Sequence, residues 1–126
     1  MKARQSGKGK GPYVIGIDIG TTGTKGILCR MPSPTAGALD SHTELHARRT
    51  GPQGRVEQDP DEVLDAVVRV VRTLASRNRI DPGSVSALSF GGVLHSILPV
   101  DGEGKALAPA LIWADLRSVK QSEDIR

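Results

Sequence analysis

Within eight residues, Asp18 to Lys25, the chain sets a carboxylate, two glycines (Gly20 and Gly23), the hydroxyls of Thr21, Thr22 and Thr24, and an ammonium group. That mixture suits the phosphates of a nucleotide. Glycines permit the backbone geometry of a tight cradle, and backbone N–H groups and hydroxyls hold phosphate oxygens while Lys25 adds positive charge. Asp18 can orient a hydrated magnesium ion. The same Asp-X-Gly-Thr stretch is also an ordinary hairpin turn, and the residues themselves leave both readings open. A second set lies further along. His95 follows the Gly91-Gly92 pair, and Asp115 and Arg117 follow Trp113, so polar groups come after strand ends twice and could converge beside a small polar ligand. A packing histidine and a core tryptophan are the plainer alternatives.

The elements that must position these residues follow from the hydrophobic pattern. Short apolar runs at residues 14–17 and 26–28 flank the loop and predict two strands joined as a hairpin. Cys29, the only cysteine, excludes an intrachain disulfide and reads as a buried, inert thiol on the second strand. The run MPSPTAGALDSH predicts a turn, and residues 43–49 a weak third strand with Leu45 and Ala47 on one side. His42 and His46 have no ligand spacing and read as surface residues.

Asp59-Pro60-Asp61-Glu62 supplies an N-cap, a first-turn proline and an acid placed as in a capping box. Val63, Val67, Val70, Val71 and Leu74 then recur at helical spacing opposite Asp65, Arg69, Arg72 and Ser76, and Asp81-Pro82-Gly83 closes the helix. Strands are predicted at residues 85–90, 97–100 and 110–113, with a hairpin turn at 101–104 between the last two. Residues 116–126 open a helix with Val119 on its apolar side.

Composition describes an ordinary globular chain, with 37% hydrophobic and 25% charged among 126 residues. The net charge of +3 comes from the start of the chain. Lys2, Arg4, Lys8 and Lys10 lie in the first twelve residues without an acid, leaving 13 basic against 14 acidic residues in the remainder. Residues 1–12 therefore read as a disordered basic tail, residues 13–126 as the folded part, and nucleic acid is not an expected partner. The start lacks the apolar core of a secretory signal and no run has the length of a membrane span, which sets the expectation of a cytoplasmic protein without a membrane partner.

GIDIGTTGTKGIL, then VEQDPDEV opening a helix, then SFGGVLHSILPVDGEGKALAPALIWADLR resembles, in that order, the N-terminal part of the FGGY family of carbohydrate kinases. Within it the likeness is greatest to gluconokinases, with xylulokinases next. The resemblance implies an α/β fold, an incomplete N-terminal lobe of the actin-like, ribonuclease-H-like ATPase architecture, with a mixed sheet packed by helices. It implies ATP and Mg2+ as cofactors and a sugar or sugar acid as substrate, gluconate before xylulose.

By the same resemblance, Asp18, Gly20, Thr21, Thr22, Gly23 and Lys25 contact nucleotide phosphates and, through water from Asp18, the metal. Leu94, His95, Trp113, Asp115 and Arg117 border the sugar, with Leu94 where the family usually has Met, a swap that roughly conserves volume. The family's catalytic base would lie beyond Arg126. The chain is then expected to be a fragment inactive alone, needing its C-terminal portion or a complementing chain and prone to oligomerise. The alternative is a non-catalytic remnant or a sugar- or nucleotide-binding module.

Overall fold

The computed structural model describes residues 12–31 and 37–125. The expected disordered tail lies outside the described residues but for Pro12, as do residues 32–36 of the expected turn and Arg126.

Strand β1 (Tyr13–Ile19) and strand β2 (Gly23–Arg30) pair antiparallel, with Ile15 opposite Leu28, Ile17 opposite Gly26 and Asp18 opposite Lys25. Strand β3 (Asp40–Leu45) pairs antiparallel with β2, and strand β6 (Val85–Gly92) runs parallel to β1, giving a mixed sheet in the order β3-β2-β1-β6. Side chains alternate across a strand. Tyr13, Ile15, Ile17 and Leu28 therefore share one face and are buried there, while Asp18 and Lys25 share the other.

Helix α1 (Pro60–Arg77) covers the apolar face. Asp59 caps it by accepting from the Asp61 N–H at 3.0 Å, and Ala66, Val70 and Leu74, four residues apart, are its buried stripe. Glu62 does not close a capping box; Arg49 takes its carboxylate at 2.9 Å, together with that of Asp59. The last turn is tied to β3, because Arg77 donates to both oxygens of Asp40 at 2.8 Å and Asn78 donates to the same carboxylate at 2.6 Å. Helix and sheet meet closely at Gly26: a Cβ there would overlap Val70 Cγ1 and stand 2.9 Å from Leu74 Cδ1.

A second sheet holds strands β4 (Arg48–Gly51), β5 (Arg55–Gln58) and β7 (Ala110–Leu111) in the order β4-β5-β7. The expected third strand is thus two strands broken at residues 46–47, and β5 was not expected at all. The expected strand at residues 97–100 is reduced to two bridges, Ile97 to Leu111 and Val100 to Ala106, around the expected turn, where Asp101 Oδ1 accepts from the Glu103 and Lys105 N–H groups. Helix α2 (Val119–Asp124) follows. Cys29 is half-buried on β2, not enclosed.

Strand β6 pairs with β1 alone among the described residues and leaves Leu88 and Phe90 exposed beside a groove of about 500 Å³ lined by Val71, Ala75, Val85 and Leu88. Such an edge is a template for pairing with another chain. Sedimentation of the 126-residue chain alone should show concentration-dependent association, reduced by joint Leu88→Lys and Phe90→Lys replacement; a monodisperse unsubstituted monomer would contradict this. The Gly26 contact yields a second expectation. Gly26→Ala should lower the unfolding free energy by about 1–3 kcal/mol through overpacking, and Val70→Ala in the same chain should cost less than it does alone.

Candidate functional site

Residues 20–22 link β1 to β2 in a loop closed by the Gly20 N–H donating to the Gly23 carbonyl at 2.9 Å. Both glycines are needed for room. A Cβ on Gly20 would come within 3.0 Å of the Gly23 carbonyl oxygen, and one on Gly23 within 2.9 Å of the Glu44 carbonyl oxygen. Thr21 and Thr22 lie in the loop with their side chains at least partly open to solvent. Thr24 is not a loop donor. It is fully buried on the helix side of β2, and its Oγ1 has no hydrogen-bond partner among the described residues.

Asp18 and Lys25, opposite one another at the mouth of the loop, line a cleft of about 370 Å³ with Gly16, Ile27, Ser89 and Gly91. No described hydrogen bond or ion pair engages either charge, so both remain available to a ligand. An exposed carboxylate and ammonium beside hydroxyls and a tight loop fit a metal-bound polyphosphate. No three His, Cys, Asp or Glu side chains cluster among the described residues. A magnesium ion held here would therefore take its oxygens from water and phosphate, with the Asp18 carboxylate holding it through water.

A second cleft, of about 510 Å³, brings together His95, Trp113, Asp115 and Arg117 with Ile97 and Gln121. Leu94 stands outside this lining, 74% exposed, and His95 adopts a left-handed backbone with φ 59°. Asp115 accepts from the Val56 N–H at 2.9 Å and from Arg117 Nη2 at 2.7 Å, and Arg117 Nη2 also meets Glu57 Oε1 at 2.6 Å. The Arg117 guanidinium, then the Val56 N–H, hold the Asp115 carboxyl far below the usual carboxylate range. Asp115 and Glu57 in turn push Arg117 up. These charges lock β5 to the segment after β7. Trp113 is not core; it is 60% exposed, and its Nε1–H donates to Thr21 Oγ1 at 3.4 Å. The loop is thus tied through Thr21 to a residue that lines the second cleft.

Sequence reasoning passed over the residues behind the loop. Gln58 is buried and its Nε2 donates to the Thr21 carbonyl at 2.8 Å and the Gly20 carbonyl at 3.4 Å, with His46 Nδ1 also at 3.4 Å. The one trace in sequence is that Gln58 is two residues from Val56, at an inward position of a short alternating run. His46, expected on the surface, is buried, and its backbone N–H donates to the Thr22 carbonyl at 3.2 Å. Burial pushes its pKa below the ordinary 6.5, with the charge of Glu62 opposing. The unfolded chain then takes up this proton first as pH falls, so stability rises with pH up to about 6.5 and is lost below it. The melting temperature should drop between pH 7.5 and 5.5, and drop less after His46→Gln; an identical pH profile in the variant would remove His46 as the cause.

The chain is similar to known proteins along most of its length. The model of the N-terminal domain of the FGGY family of carbohydrate kinases matches residues 13–126. Gluconokinase of Bacillus subtilis (strain 168) is 31% identical over 106 residues, 84% of this chain and 20% of that protein. Xylulose kinase of Lactococcus lactis subsp. lactis (strain IL1403) is 31% identical over 113 residues, 90% of this chain and 22% of that protein. The crystal structure of gluconate kinase from Lactobacillus acidophilus matches with a TM-score of 0.79 at 29% identity, over 90% of this chain and 22% of that one. The chain spans about a fifth of the length of the relatives it matches. Its fold is that of the actin-like ATPases, as the sequence led one to expect.

Proposed function

The chain belongs to the FGGY family of carbohydrate kinases, and we propose that the protein carrying it transfers the γ-phosphoryl group of ATP to a hydroxyl of a sugar or sugar acid, gluconate first and xylulose second. The observation that carries this reading is the bond from Trp113 to Thr21, which ties a cleft of polar groups around an exposed indole to the tight loop beside two unengaged charges.

In this reading the loop N–H groups, the Thr21 and Thr22 hydroxyls and Lys25 bind phosphate oxygens on which charge builds during transfer. Magnesium, when bound, neutralises part of that charge and fixes the phosphates in place. Asp18 holds it through water. His95 and Trp113 receive the acceptor, the indole offering a flat apolar face and the imidazole a hydrogen bond. Asp115 and Arg117 shape the floor of that cleft as an ion pair. Asp115 is not assigned as base, since its oxygens are already engaged by Arg117 and Val56. The group that takes the hydroxyl proton is placed outside residues 13–126. Among the described residues no helix is long and apolar enough to cross a membrane, and the cytoplasm, where ATP is supplied, is the proposed setting.

The test is an ADP-release assay of the full-length gene product with MgATP and, separately, D-gluconate and D-xylulose. Turnover should be highest with gluconate, and Asp18→Ala should lower it by about 10²–10³-fold with the melting temperature retained. Turnover unchanged in Asp18→Ala would remove Asp18 from the site. Nucleotide binding without turnover on either acceptor would favour a binding module instead.

A further inference from the structure

We propose that Gln58 is a positioning residue for the loop between β1 and β2, its buried carboxamide pinning the loop carbonyls on one side so that the loop N–H groups face the nucleotide phosphates on the other. The proposal rests on the phosphate reading of that loop and adds a residue outside both clefts to its machinery.

The bonds come from one atom. Gln58 Nε2 meets the Thr21 and Gly20 carbonyls at 2.8 and 3.4 Å, and the next carbonyl, Thr22, is taken by the backbone N–H of His46. Three successive carbonyls of the loop are thus held from the side of β5 and the β3–β4 link. A trans peptide is planar, and its C=O and N–H point in opposite directions. Pinning the carbonyls of Gly20 and Thr21 toward Gln58 therefore turns the N–H groups of Thr21 and Thr22 away from it, and the His46 bond does the same for Gly23. Donors fixed in this way need no reorganisation when an anion arrives.

The chemistry of the position calls for an uncharged donor. Two carbonyl oxygens converging on one point repel unless hydrogens lie between them, and a carboxamide carries two on a single nitrogen. Those acceptors also fix which end of the amide is nitrogen. A lysine or arginine would bury a charge behind the loop, and a glutamate would set oxygens against oxygens. His46 completes the shell. With the Thr21 carbonyl taking one hydrogen, the Gly20 carbonyl and His46 Nδ1, both at 3.4 Å, share the other, the ring nitrogen as acceptor. The backbone of Gln58 is anchored independently: it pairs with Arg48 and Ala110 in the second sheet and immediately precedes Asp59, the cap of α1.

Gln58→Met keeps the volume and removes the donor, and Gln58→Glu keeps the shape and reverses the dipole. In the full-length gene product, MgADP affinity by titration calorimetry should fall about tenfold in Gln58→Met and further in Gln58→Glu. Amide exchange of residues 21–23 should quicken while that of α1 and β6 stays at the unsubstituted rate. Affinity within twofold of the unsubstituted protein in both variants would overturn the clamp, as would faster exchange spread through β1, β2 and α1, which marks general packing. Failure of the unsubstituted protein to bind MgADP would overturn the phosphate reading and this proposal with it, whereas normal binding by that protein and both variants would overturn the clamp alone.

Discussion

Helix α1 rests on β2 at a point where the strand has no side chain, and the rest of the molecule is arranged around that contact. With hydrogen in place of a Cβ at Gly26, Val70 and Leu74 reach the sheet itself and pack among Ile15, Ile17 and Leu28. The two ends of the helix are then fixed. At its C-terminus Arg77 and Asn78 grip Asp40 at the start of β3, and at its N-terminus Asp59 sits one residue beyond Gln58, under the loop. An 18-residue helix is about 27 Å long, so one rigid rod sets both the outer edge of the sheet and the underside of the loop.

The face of the sheet away from α1 follows the opposite rule. Beside Ile27, the small residues Gly16, Ser89 and Gly91 leave space in which Asp18 and Lys25 stand without partners among the described residues. Charge in the second cleft is handled differently. Asp115, Arg117 and Glu57 satisfy one another and serve to join β5 to the segment that carries Trp113. The first cleft keeps its charges for something else, and the second spends them on its own construction.

What was legible in the sequence was what neighbouring residues decide. The β1–β2 hairpin and the Asp59 cap follow from alternation and a capping residue, and helical spacing placed Val70 and Leu74 in the buried stripe of α1, where Ala66 joins them while Val63, Val67 and Val71 are half-buried. The errors fall where distant residues decide. His46 reads as a surface histidine because its strand looks polar, yet it is enclosed by a glutamine twelve residues on. Residues 55–58 carry two charges in four positions and hide a strand, since their partners are β4 and β7. Residues 97–100 are apolar without being a strand; Ile97 lines a cleft and exchanges only one pair of backbone bonds with Leu111. The glycines of the loop were legible as a tight turn, but the bond from Trp113 to Thr21 was not. His95, Trp113, Asp115 and Arg117 of the second cleft were legible from their places after strand ends, and the family resemblance added only Leu94, which stands outside the lining.

The bond between Trp113 and Thr21 also sets an order of events in time. It joins residues 92 apart, and the Arg117 bridge to Glu57 joins residues 60 apart, whereas β1 and β2 meet across a loop of three residues. Closing a long segment costs more chain entropy than closing a short one, and contacts of high sequence separation slow folding. Loop-closure entropy therefore favours joining of the hairpin before attachment of the wall bearing Trp113.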